Sequence, residues 1–268
     1  MNAPHPLEKF CETLSTRMGK AFPGERAVFR GHNLHSDLQN MSWFELYMFG
    51  ISGKKLSKSE IHLLDANWAC TCYPDARLWN NRVVALAGSA RSTSALALAA
   101  GGAITEAQIY GLQAMHLCAD FLVRAQKKLD EGMQLEVIIE EEIRLHKYIK
   151  GFGRPIAAQE VDERMPTLFR VMQEEGMQQG KYVQLVFQIE KCLIQMGKDM
   201  HANYAAIVAA VPLDFGLTVR ETLCYLYNIV HGGMPPVYLE ALERPAGATF
   251  PLKCEQIKYQ GPPDRVWE

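Results

Sequence analysis

Two glycines flank an aromatic residue at Gly151-Phe152-Gly153-Arg154, and Asp162-Glu163-Arg164 follows shortly after. Glycines have no Cβ, so backbone amides there can approach a ligand closely. A guanidinium presents a planar fork of donors that fits a carboxylate or a phosphate. The chemistry on offer is therefore the binding of an anion or an oxyanion. A second concentration of polar chemistry is Tyr73-Pro74-Asp75-Ala76-Arg77-Leu78-Trp79-Asn80-Asn81-Arg82. If a helix begins after Pro74, Arg77 and Asn81 share one face, and Trp79 and Arg82 another. This stretch reads either as a pocket wall or as a buried polar network at a subunit interface. Cys70-Thr71-Cys72 has no second cysteine pair, and His32 and His35 have no evident third ligand, so no metal is expected.

The elements that position these residues read as helices almost throughout. Ser57 with Glu60, and Thr218 with Glu221, form capping-box patterns. Behind the first, Ile61, Leu64 and Trp68 fall on one face; behind the second, so do Leu223, Leu226, Tyr227 and Val230. The second helix should end at Gly232-Gly233, with Pro235-Pro236 beyond. Residues 133–149 and 160–195 repeat apolar side chains at helical spacing. No alternating strand pattern precedes Gln256-Ile257-Lys258-Tyr259, which reads as a short extended piece. The fold class expected is all-α. Ala85 to Ala103 is nearly all small residues and leucine, which suits close helix–helix approach inside the core or between subunits.

With 268 residues, 48% of them hydrophobic, the chain can bury a full core. Its net charge is −2 and no Lys/Arg run occurs, which argues against a nucleic-acid partner. Seven scattered cysteines fit a reducing compartment better than a disulfide framework. Met1 to Pro6 lacks the blocks of a signal peptide, and no apolar stretch reaches the roughly 18–20 residues needed to span a bilayer. A cytoplasmic protein without a membrane partner is expected.

Four stretches, in order, resemble citrate synthases: Leu64 to Gly111, with Asn80-Asn81-Arg82 and Leu86-Ala87-Gly88-Ser89; Gly151 to Arg164; His201 to Val208; and Tyr259-Gln260-Gly261-Pro262 with Arg265 behind it. The resemblance implies a large helical domain, 1–111 with 205–268, and a smaller one, 112–204, closing over a cleft. It also implies a homodimer built on the Ala85–Ala103 helix, and coenzyme A as thioester substrate.

The family's catalytic residues are replaced. Its proton-abstracting aspartate falls on Asn203, its enolate-binding histidine on Tyr110, and its ketone-binding histidine on Arg154. An amide cannot take a proton from carbon. A phenol with a pKa of about 10 donates a hydrogen bond but is a poor base. A permanent guanidinium stabilises an oxyanion and transfers nothing. Hydrogen-bond donation is kept and general-base capacity is lost; His201, His231 and Asp162 are the replacement bases on offer. Arg164 matches a carboxylate-holding arginine, whereas two other arginines fall on His231 and near Lys253-Cys254. The acyl acceptor is therefore less anionic, or larger, than oxaloacetate. The substrate-binding set is Arg164, His231, Arg82 and Asp162. Gly151, Gly153 and Lys198 would meet coenzyme A, although the glycines also suit a plain turn and Lys198 a solvated surface. The expected function is making or breaking a C–C bond next to a CoA thioester, with cleavage favoured. The alternatives are a non-catalytic acyl-CoA-binding homologue and a hydrolase or ring-opening enzyme.

Overall fold

The computed structural model describes residues 7–8, 14–153 and 162–267. A three-stranded antiparallel sheet comes first, β1 (Gly19–Phe22), β2 (Arg26–Phe29) and β3 (His32–Asn33). Helices follow: α1 (Trp43–Ser52), α2 (Lys58–Ala69), α3 (Trp79–Ser89), α4 (Ser94–Ile104), α5 (Leu112–Asp130), α6 (Leu135–His146), α7 (Met165–Glu174), α8 (Lys181–Gln195), α9 (Tyr204–Asp214), α10 (Val219–Ile229) and α11 (Met234–Glu243). No described helix is long and apolar enough to cross a membrane.

The expected caps form. Ser57 and Thr218 accept from the amides of Glu60 and Glu221, and those carboxylates accept in return from the cap amides. Ser42 and Glu45 do the same for α1. Each cap satisfies two of the amides that a helix start leaves without a partner.

In these elements the chain departs from the sequence reading at Gly19–Asn33 and within Ala85–Ala103. The sheet at Gly19–Asn33 breaks the all-helical pattern because its strands are too short for alternation to register. Its anchor is tertiary: the Phe29 and His32 rings meet Phe49 edge-on at 5.9 and 5.5 Å, and Arg30 donates to the Gly50 and Ile51 carbonyls. Gln256–Tyr259 is extended chain from Ile257 on, as read, with one 3₁₀ turn, Cys254–Gln256, just ahead of it. The run from Ala85 to Ala103 is two helices rather than one. Arg91 turns left-handed (φ 62°), its guanidinium donating to the carbonyls of Gly88, Ala241, Leu242 and Arg244, and Thr93 caps α4.

These small residues serve contacts within the chain. A Cβ on Gly88 would stand 2.8 Å from the Tyr238 carbonyl oxygen, and one on Gly101 would stand 2.6 Å from Val84 Cγ1. The result is a compact unit of α3, α4 and α11 with its own apolar core. The larger core runs from Phe44 to Ile229 and takes side chains from both sides of residues 111 and 204. Its axis is α9, whose residues from Tyr204 through Leu213 are buried except Ala205, packed by α5, α8 and α10. Each fully buried large side chain around it, such as Phe121, Leu122 or Leu185, stabilises the fold by about 1.5–3 kcal/mol. At the far end of α9, the Asp214 carboxylate accepts from the amides of Tyr182 and Val183 at 2.7 and 3.1 Å, capping α8.

Candidate functional site

The Gly151–Gly153 turn and the residues before α9 form a clasp. Phe152 bridges to Ala202, the Gly153 amide donates to the His201 carbonyl (2.6 Å), and the Asn203 amide donates to the Gly151 carbonyl (2.8 Å). The Asn203 side chain closes it: Nδ2 donates to the Gly153 carbonyl at 2.7 Å, while Oδ1 accepts from the Ala205 amide at 2.9 Å and caps α9. Both ends of that amide are thus committed to backbone.

The two glycines play different parts. Both are left-handed, with φ of 89° and 78°. A Cβ on Gly151 would stand 2.6 Å from Cys118 Sγ and 3.0 Å from Ala206 Cβ, whereas one on Gly153 would meet nothing within 4 Å. Gly151 is therefore a packing residue, whereas Gly153 has no such neighbour among the described residues. The His201 ring lies between carboxylates, Nδ1 3.3 Å from Glu190 Oε1 and Nε2 3.3 Å from Asp199 Oδ1. Glu190 also accepts from the Ala202 amide, which fixes it beside the ring. Lys198 is half-buried in the loop between α8 and the clasp.

Arg164 and Asp162 stand next to this clasp. Nε and Nη2 of Arg164 donate to the two oxygens of Asp162 at 2.8 and 2.7 Å, and Asp162 also accepts from the Tyr204 amide at 3.0 Å. Burial alone would raise the Asp162 pKa. The hydrogen bonds and charge of Arg164, with the Tyr204 and Arg164 amides, outweigh it and hold the carboxyl below its usual range. The guanidinium lies over the Tyr204 ring, 4.6 Å from its centroid, and 5.8 Å from that of Tyr73. Two of its five N–H groups point at Asp162, and its side chain is 21% exposed. Arg154 lies outside the described residues.

Tyr73 leads from Arg164 into a small recess that it shares with Trp79, Ile104 and Tyr110. Trp79 starts α3 and donates its indole N–H to the Ile109 carbonyl at 2.8 Å, pulling the 105–111 loop onto that helix. The loop is tight: the Leu112 amide donates to the Thr105 carbonyl at 2.7 Å, and a Cβ on Gly111 would stand 2.3 Å from the Ala107 carbonyl oxygen. Tyr110 is forced to φ 54°, a strained setting for a residue with a bulky side chain, and its ring lines the recess.

Two other expected site residues, Arg82 and His231, take no part in the clasp. Arg82 is exposed, donates to the Ala76 carbonyl at 3.1 Å and lies 5.7 Å from the rings of Trp79 and Phe250. The expected shared face of Arg77 and Asn81 does not form, because α3 starts only at Trp79. Arg77 pairs with Asp75 ahead of the helix, while buried Asn81 donates to the Tyr73 and Asp75 carbonyls. Trp79 and Arg82 do share a face. His231 follows α10, its ring 4.8 Å from that of Tyr227, with Nε2 buried and without a partner among the described residues. Burial pushes its pKa down, so it is neutral at pH 7. Tyr73 and Tyr204 as faces for Arg164 carried no sequence signal, since they come from segments far apart in the chain; nor did Glu190 as partner of His201, because the turn that ends α8 brings the two together.

No protein-family model and no curated protein matches the sequence. Solved structures do match. Citryl-CoA lyase from Hydrogenobacter thermophilus superposes with a TM-score of 0.81 at 18% identity, covering 95% of this chain and 97% of that one. Methanosaeta concilii ATP citrate lyase, in complex with (3S)-citryl-CoA, gives 0.72 at 16% identity over 98% of this chain and 43% of that one. Citrate synthase from Thermotoga maritima gives 0.60 at 16% identity over 86% of this chain and 60% of that one. The chain has the fold shared by citryl-CoA lyase and citrate synthase.

Proposed function

We propose that this protein makes or breaks a carbon–carbon bond adjacent to a CoA thioester, with cleavage as the favoured direction, and that it is not a conventional citrate synthase. The observation that carries the reading is the overlap with a citryl-CoA lyase across nearly the full length of both chains. Around it stand a carboxylate-binding candidate, Arg164, and a recess with a phenol, Tyr110, at the position of the family's enolate-binding group. Coenzyme A enters over Gly153, with Lys198 toward its phosphates. Residues 112–204 act as the closing domain, and the enzyme works as a homodimer.

In the cleavage direction the substrate is a β-hydroxyacyl thioester. The β-hydroxyl proton passes to His201, which Glu190 orients. As the C–O bond becomes a carbonyl, the α–β carbon bond breaks and its electron pair moves onto the thioester as an enolate. Tyr110 donates to that enolate oxygen, which needs stabilisation more than it needs a base. A proton from solvent then completes the released acyl thioester. Arg154 would add a second oxyanion-stabilising charge, and Arg164 would hold the carboxylate of the departing fragment. Asn203, locked into the clasp, orients Gly153 and moves no proton.

That locked amide also favours a second reading, a non-catalytic acyl-CoA binder, because no carboxylate takes the aspartate's place there. Titration calorimetry with CoA comes first; absence of binding would remove both readings. If CoA binds, a screen of β-hydroxyacyl-CoA esters for release of a shorter acyl-CoA separates them, since the binder would leave every ester intact. Full turnover by Tyr110→Phe and Arg164→Ala would disprove the site assignment. CoA release from acetyl-CoA and oxaloacetate is expected to be absent.

A further inference from the structure

We infer that the recess beside Tyr110 takes a compact, uncharged, aliphatic arm of the substrate bearing at most one neutral oxygen, so that any carboxylate the substrate carries sits at Arg164 and not here. The inference rests on the acyl-CoA reading and narrows its substrate class. The recess draws its lining from five segments, and no charged residue is among them. Leu78, Trp79, Ile104 and Val230 supply its apolar surface.

The polar groups in its wall face elsewhere. Thr105 Oγ1 donates to the Gly102 carbonyl at 2.6 Å, and Thr71 Oγ1 to the Asn67 and Trp68 carbonyls at 3.0 and 2.9 Å. Asn80 Nδ2 donates to the Val230 carbonyl and Trp79 Nε1 to the Ile109 carbonyl. The phenols of Tyr73 and Tyr110 make no hydrogen bond among the described residues, and Asn80 Oδ1, an acceptor, is likewise uncharged. Two neutral donors suit one carbonyl or hydroxyl oxygen. A carboxylate in the same place would lose its hydration against an apolar wall, without a cation to replace it. The described cations beside the two phenols are both committed: Arg164, beside Tyr73, is paired to Asp162, and Arg77, which feels Tyr110, is paired to Asp75.

Isobutyryl-CoA and methylmalonyl-CoA differ only by a methyl group in place of a carboxylate, and they test this directly by calorimetry. The comparison is made in the paired substitution Asp162→Asn with Arg164→Gln, which removes the carboxylate's own seat without leaving a buried charge unpaired. There isobutyryl-CoA is expected to bind at least tenfold more tightly than methylmalonyl-CoA, and adding Ile104→Lys, at the half-exposed end of α4, to shrink or reverse that ratio. Equal or tighter binding of methylmalonyl-CoA by the paired variant overturns the inference while leaving the acyl-CoA reading intact. If neither ester nor CoA binds the unaltered protein, the acyl-CoA reading fails. The recess is then judged, in the same paired variant, with the N-acetylcysteamine thioesters of the two acids, which lack the nucleotide. A change in tryptophan fluorescence with the isobutyryl thioester alone, lost when Trp79→Phe is added, upholds the recess; a flat response to both, or a response to the charged thioester, overturns it.

Discussion

The clasp and the recess lie on either side of Tyr73 and are built on opposite principles. In the clasp, the groups that hold the backbone are matched: the Asn203 amide is bonded at both ends, and the Asp162 and Arg164 charges answer each other. In the recess, the two phenols have no hydrogen-bond partner among the described residues, and one of them sits on strained backbone. The contrast teaches where this molecule keeps its rigidity and where it keeps unused bonding capacity. Saturation fixes geometry, while unsatisfied donors are what a substrate can engage.

Substitutions should sort along that line, beginning with the largest effect. Asp162→Ala strips Arg164 of its counter-charge and the Tyr204 amide of its acceptor. It should lower stability by about 3–5 kcal/mol in a denaturant titration; a loss below ~1 kcal/mol would mean the pair is dispensable to the clasp. Tyr110→Phe should leave stability within about 0.5 kcal/mol and cut turnover roughly a hundredfold, the usual cost of one oxyanion donor. The two glycines sharpen the comparison inside the clasp itself. Gly151→Ala meets Cys118 and Ala206 and should cost about 2–3 kcal/mol, whereas Gly153→Ala bears only the left-handed penalty of about 1–2 kcal/mol. Equal costs for the two would contradict the packing difference.

The smallest effect is electrostatic. His231 has a lowered pKa in the folded chain, so the unfolded state binds more protons at mildly acid pH. Stability should therefore be full at neutral pH and decline as pH falls below about 6.5. Asp162 adds a separate loss only in strong acid, below the ordinary carboxyl range, because its folded pKa is depressed. In His231→Gln the decline near 6.5 should flatten, as followed by thermal melts across pH; an unchanged slope would assign it to another group.

Much of the frame could be read from the chain, because caps and terminators are local. Ser57 with Glu60 and Thr218 with Glu221 each act within a turn of helix and appear where expected, whereas α10 stops at Ile229, ahead of Gly232-Gly233, and Gly233 instead starts α11. The break at Arg91 was hidden because a left-handed arginine has no composition signal; it depends on carbonyls of α11 far along the chain. The sheet was hidden for the same kind of reason, since Phe49 anchors it from outside. At the site, the side-by-side placement of Asp162 and Arg164 was visible as spacing. The recess was not, because its wall is assembled from five segments that become neighbours only after folding.

One further consequence concerns α9, which touches the clasp through Asn203 at one end and the start of α8 through Asp214 at the other. Its eleven residues span about 16 Å, and Pro212 near the far end removes one amide from its hydrogen-bond ladder. The Gly153 turn and the start of α8 are therefore fastened to opposite ends of one helix, and protection of the Tyr182 and Val183 amides from solvent exchange would report whether that helix is intact.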